Sequence, residues 1–172
     1  MLDSETWFLL IKRDPTGRAA HALELVRKYR GSVRSQHKLI FERWGARDFH
    51  SDLLHTHYLL IGIDRTQDGL ELASAALGGT LSDFLPNVDL SDYRDARNHF
   101  EHLEDRLFGT KRNAPQSITE GGATRTVHFG LKANPPRFEW GSRQIDISEQ
   151  FVSMYENYVE AAEALIVEKP AE

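Results

Sequence analysis

The chain has 172 residues, no cysteine, and a formal net charge of −5 from 21 basic and 26 acidic residues. That length suits one compact domain with a core of its own, and the missing thiols exclude disulfides, cysteine nucleophiles and cysteine-ligated metal centres. The longest apolar run, Tyr58 to Ile63, falls far short of the roughly 20 residues a membrane helix needs, and the acid-containing start, Met1 to Asp14, lacks the basic n-region of a signal peptide. The expectation is a soluble, cytoplasmic domain without a membrane partner.

In chain order, Trp7 to Lys12 reads as a short opening element stopped by the turn signal Asp14-Pro15. Ala19, Ala22, Leu23, Val26 and Tyr29 recur at three- and four-residue steps and predict a helix from Thr16. Gly31 is a candidate break, Val33 to Trp44 continues that helix or forms a second one, and Gly45 closes it. A further helix starts near Ser51 and carries Leu53, Leu54, Tyr58 and Ile61; another, Gln67 to Leu77, ends at Gly78-Gly79. Pro86 and Asn87 lead to Ser91, the expected N-cap of a helix over 92–108 with the apolar stripe Ala96, Phe100, Leu103 and Leu107.

After Gly109 the period changes. Arg125, Val127, Phe129 and Leu131 alternate with Thr124, Thr126, His128 and Gly130, the pattern of a half-buried strand. Phe138 to Ile147 reads as a strand pair turning at Gly141-Ser142, and Ser148 caps a last helix with the stripe Phe151, Tyr155, Tyr158, Val159, Ala162 and Leu165. The predicted fold is mainly α: one domain over 1–172, a bundle of about five main helices, with a β-hairpin or meander over 117–147 inserted before the last helix.

Charge is unevenly spread. Residues 12–47 hold ten Lys and Arg against Asp14, Glu24 and Glu42, so the remaining chain is strongly acidic. Such asymmetry points to an anionic partner, with Arg43 and Arg47 on the rim of its cleft, or to a basic helix that pairs with the acidic remainder of its own fold.

The densest polar chemistry lies between Asp95 and Leu107. Asn98 and His102 are four apart and share one line of the helix, with His99 and Arg106 on the adjoining flank. Arg97 lies about 140° from His102 by helix geometry, so the two share no face. Its competing role is an i,i+4 ion pair with Glu101. His99 and His102, three apart, would present two imidazoles to one metal, and His57 as a third ligand makes a metal-binding bundle an alternative. His57 shares a face with Leu53, Leu54 and Ile61, so it is expected to point inward and be held by Asp64 or a backbone carbonyl. Phe138 and Trp140 are candidates for stacking on bases, or for hairpin core packing.

Arg97-Asn98-His99-Phe100-Glu101-His102 matches R-N-x-x-x-H, and in this the chain resembles the HEPN superfamily (higher eukaryote and prokaryote nucleotide-binding domains). The resemblance extends to a helical bundle with the motif on a late helix. It implies a metal-independent endoribonuclease without cofactor, acting on RNA rather than DNA in a composite cleft between two copies of the chain. Arg97, Asn98 and His102 would be catalytic, with His99, Arg106, Arg43 and Arg47 binding substrate. The implied products are 2′,3′-cyclic phosphate and 5′-hydroxyl ends, and the implied setting is a toxin or defence system with a protein antitoxin. The other expectation is a non-catalytic module that dimerises or binds a partner through its aromatic last helix.

Overall fold

The computed structural model describes residues 2–43, 49–102, 116–120, 122–127, 129–140 and 143–168. The fold is mainly helical, with a small antiparallel sheet before the last helix. No described helix is long and apolar enough to cross a membrane.

Helix α1 (Ser4–Arg13) starts on Asp3, whose carboxylate accepts from the Thr6 amide. Asp14 then serves two elements. Its amide closes α1 on the Leu10 carbonyl, and its carboxylate accepts from Thr16 and from the Ala19 amide at the start of α2 (Arg18–Arg43). The Thr16 hydroxyl, followed by the Ala19 amide, holds the Asp14 carboxyl below its ordinary pKa.

Helix α2 runs unbroken through Gly31, which faces open space, so the predicted break is not one. The helices expected near Ser51 and over Gln67–Leu77 are likewise one, α3 (Phe49–Leu77). The two form a hairpin of rods about 39 and 44 Å long at 1.5 Å per residue. What lets them approach is a stripe of small residues on α3: Gly62, Thr66, Gly69 and Ala73. A Cβ on Gly69 would lie 2.8 Å from Val26 Cγ2 and 3.1 Å from the Ala22 carbonyl oxygen; one on Gly62 would lie 2.9 Å from Val33 Cγ2.

This contact rotates α3 relative to its predicted stripe. Leu53, Leu59, Leu60 and Ile63 are buried, whereas Leu54 and Tyr58 are 49% and 47% exposed. After Gly78, in a positive-φ conformation, come the short α4 (Gly79–Phe84), a 3₁₀ turn over Leu85–Asn87, and α5 (Ser91–Glu101). Ser91 is the first helical residue rather than the cap; the Asp89 carboxylate accepts from its amide. The backbone leaves helical geometry at His102, shorter than the predicted span, and Leu103, Leu107 and Gly109 lie outside the described residues.

Strands β1 (Gln116–Glu120) and β2 (Ala123–Val127) form one antiparallel pair; β3 (Phe129–Ala133), β4 (Pro136–Trp140) and β5 (Arg143–Asp146) form a three-stranded meander. The single alternating strand predicted over 124–131 is thus the end of one sheet and the start of another, with His128 outside the described residues. Trp140 pairs with Arg143 across the two positions expected to turn, Gly141-Ser142, also outside them. Phe138 and Trp140 are buried and stack on each other, and Phe138 stacks on Phe100, so they fill the core and are not offered to a base.

Ser148 caps α6 (Glu149–Val167), its hydroxyl accepting from the Phe151 amide. Phe151, Tyr155, Tyr158, Val159 and Ala162 are all buried within the chain, which removes them as the assembly surface once expected of this helix. Arg13 closes its other end, donating to the Ile166 and Glu168 carbonyls at 2.6 and 2.9 Å, where the helix dipole favours a cation.

The two central glycines generate a paired prediction. Gly69→Ala, whose new methyl meets α2 backbone, should lower unfolding free energy by about 1–3 kcal/mol through overpacking. Gly31→Ala, on the open face, should raise it by about 0.5–1 kcal/mol through helix propensity. Urea unfolding of both variants beside the parent checks the opposite signs.

Candidate functional site

The basic segment finds its counter-charges within the fold. Arg27, Arg30 and Arg34, at successive turns of α2, face Glu163, Glu160, Glu156 and Glu149 on α6. The Arg27–Glu163 and Arg30–Glu160 pairs measure 3.2 Å each, and Arg34 bridges Glu149 and Glu156. Of the two readings of this charge, these three arginines follow the intramolecular one. The side chain of Arg43 and all of Arg47 lie outside the described residues.

On α5, Arg94, Arg97 and Glu101 fall at i, i+3 and i+7 and face α3. Asp64 rises from α3 between the two arginines with its side chain only 2% exposed. Its Oδ1 accepts from Arg94 Nε at 2.8 Å, and its Oδ2 lies 2.8 Å from a terminal nitrogen of Arg97. Arg94 also reaches Asp68 and Glu71, each at 3.3 Å. Arg97, 17% exposed, gives its other terminal nitrogen to Glu101, the i,i+4 pair anticipated from spacing. A single buried carboxylate therefore fixes both guanidiniums, and its negative charge offsets part of their positive charge.

Asp64 also borders a cleft of about 550 Å³ between α3, the Leu85–Leu90 segment and α5, with Gln67, Glu71, Leu85, Val88 and Arg94 among its walls. Arg94 belongs to that cleft. Arg97 sits one turn further along α5, toward the helix end where His102 lies.

The remaining motif residues divide. His102 is exposed at the C-cap of α5, its amide donating to the Asn98 carbonyl at 3.2 Å, and Asn98 is half-buried. His99 is 2% exposed, so it lies on the core side of α5 instead of a solvent flank. Arg106 lies outside the described residues.

Besides Asp64, Asp68 and Glu71, α3 brings His57 to this region. The pairing foreseen between His57 and Asp64 does not form, because the two arginines occupy Asp64. His57 instead stacks on Phe100, ring centroids 4.9 Å apart and planes within 14°, and its Nε2 has no hydrogen-bond partner among the described residues. Burial lowers its pKa below the ordinary histidine value; the Glu101 charge opposes this and the Arg97 charge adds to it. Among the described residues no group of three or more His, Asp or Glu side chains is placed to hold a metal ion.

Asp64 carries the local stability. Asp64→Ala should cost about 3 kcal/mol, the low end for breaking a buried ion pair, because Arg94 keeps Asp68 and Glu71. Arg97→Ala, which leaves Asp64 with Arg94, should cost clearly less, and thermal unfolding of the two variants gives the ranking. No protein-family model, curated protein or solved structure matches this chain.

Proposed function

We propose that the chain is a metal-independent endoribonuclease of the HEPN kind, with Arg97, Asn98 and His102 at its reacting centre. The observation that carries this reading is the anchoring of Arg97: buried Asp64 holds one edge of the guanidinium and, among the described residues, the Glu101 carboxylate holds the other. A phosphate can replace Glu101 at that second edge, because an exposed i,i+4 pair contributes only a few tenths of a kcal/mol. The planar fork then meets the phosphate as charge builds on it.

In the reaction, the ribose 2′-oxygen attacks phosphorus and loses its proton to a base, while the bond from phosphorus to the 5′-oxygen breaks. The leaving oxygen takes a proton from an acid, so the ends are a 2′,3′-cyclic phosphate and a 5′-hydroxyl. The imidazole of His102 is exposed, and an imidazole can give or take a proton in general acid–base catalysis. Asn98, one turn before it on α5, is in register to orient it or to bond the substrate. Two copies of the chain facing across these helices would bring together an Arg97 and a His102 that diverge on one helix. A toxin or defence role, with a protein antitoxin, is the setting this reading implies.

A non-catalytic, partner-binding module is the second reading. Its supporting observation is the same ion-pair set taken as complete in itself, with Arg97 tying α5 to α3 and nothing more.

One assay separates them. Purified protein incubated with RNA in EDTA should cut it and leave cyclic phosphate ends. Arg97→Ala and His102→Ala, confirmed folded by circular dichroism, should each lose about 10²-fold or more of the rate. Intact RNA under every condition supports the binding module, and cleavage abolished by chelator overturns metal independence. Light scattering should give twice the chain mass; a strict monomer at assay concentration removes the composite cleft.

A further inference from the structure

We propose that His57 on α3 is the general base serving Arg97, a role the R-N-x-x-x-H motif does not contain. The inference rests on the ribonuclease reading and adds a residue to it. Three observations point to His57. First, α5 runs antiparallel to α3, so that Arg94 lies level with Asp64, Asp68 and Glu71, Arg97 with Asp64, and Phe100 with His57. His57 is thus on the side of α5 that carries Arg97 and Glu101, whereas His102 lies past the last helical residue, at the C-cap. Among the described residues, His57 is the imidazole placed on the Arg97 side of α5.

Second, Nε2 of His57 is shielded from solvent and has no hydrogen-bond partner among the described residues. A buried polar atom left unpaired costs about 1–3 kcal/mol, and such atoms in a native fold call for an explanation, a catalytic role among them. Third, burial and the neighbouring guanidinium favour the neutral ring, and Glu101, the one carboxylate acting on it from α5, only partly opposes them. A neutral imidazole is a proton acceptor. The Phe100 ring stacked over it covers one face of the imidazole.

The step is balanced as follows. The 2′-hydroxyl oxygen forms its bond to phosphorus and passes its proton to His57 Nε2, giving an imidazolium. The bond from phosphorus to the 5′-oxygen breaks, and His102 or water protonates that oxygen. The charge of Glu101, which the phosphate has released from Arg97, then offsets part of the imidazolium charge at His57.

The test uses the intact chain, RNA in EDTA, and two variants. His57→Phe keeps the aromatic stack on Phe100 and removes the base; His57→Gln keeps a hydrogen-bonding group that cannot take a proton. Both should lower kcat by about 10²-fold or more with little change in KM. The wild type should lose activity as pH falls through the lowered His57 pKa, because protonation removes the acceptor; in both variants that acidic limb should be absent. Titrating inorganic phosphate or 3′-CMP into wild type with labelled histidine should shift the His57 ring resonances, a readout independent of turnover. If His57→Phe cleaves at the wild-type rate with the same acidic limb, the role of His57 is overturned while the ribonuclease reading stands. If the wild type itself leaves RNA intact, the ribonuclease reading fails and the base falls with it.

Discussion

The close approach of α2 and α3 is the constraint on which the other elements depend. Gly62 and Gly69 are seven residues apart, two turns of α3, so both face α2 and let its Val26 and Val33 side chains rest against bare helix backbone. With that contact fixed, the rotation of α3 is fixed too. Leu59, Leu60 and Ile63 turn into the core, Leu54 and Tyr58 turn out, and Asp64 and His57 are delivered to the groove that α5 fills. A rotation of α3 by one residue, about 100°, would take Asp64 away from both arginines. The polar chemistry of the site is thus a consequence of helix packing on another face of α3.

Helix α6 closes the other side of the hairpin by a different means. Its apolar stripe goes to the core, and its flank of glutamates meets the arginines of α2. Partly exposed pairs of this kind contribute little individually, but they fix direction and register, because Arg27 meets Glu163 at one end while Arg34 meets Glu156 and Glu149 at the other. Three of the residues that give the N-terminal segment its basic surplus, Arg27, Arg30 and Arg34, are therefore structural in this chain.

The helical character, the late meander and the stripe of the last helix are legible in the sequence, because each is a local periodicity. Ser148 and Ser91 illustrate the limit. Both stand at the start of a helix with an aspartate two residues earlier accepting from the serine amide, yet only the Ser148 hydroxyl caps one, since Ser91 already has helical geometry. Glycine misleads more. Gly31 invites a break and has none, because an exposed glycine in a long helix costs only about 1 kcal/mol, which the packed neighbours offset. Gly62 and Gly69 pass unnoticed though they decide the packing; their signal is the seven-residue spacing combined with Thr66 and Ala73 on the same face. Within the site, the motif on α5 is visible because its residues are adjacent in sequence. Asp64 and His57 are not, since their relation to Arg97 exists only once α5 lies antiparallel on α3. The seven-residue interval between them places both on one face of α3, and the packing of Gly62 and Gly69 on α2 decides where that face points.

Electrostatics then limits how an RNA would be held. Protein–RNA affinity at low salt scales with the number of phosphates met by unneutralised cations. Arg27, Arg30 and Arg34 are already matched by glutamates, and Arg94 by three carboxylates, so recruiting them would mean breaking the pairs that align α6 and α5. Arg97 differs because its two partners differ. Asp64 is buried and holds the guanidinium in place, while Glu101 is accessible and can be exchanged for a phosphate at little cost. Among the described residues, Arg97 is thus the cation whose outer partner a phosphate can replace. Its phosphate contact should contribute about one counterion to the salt dependence of binding, so Arg97→Ala should lower the salt slope by about one even where the cleavage step depends strongly on Arg97.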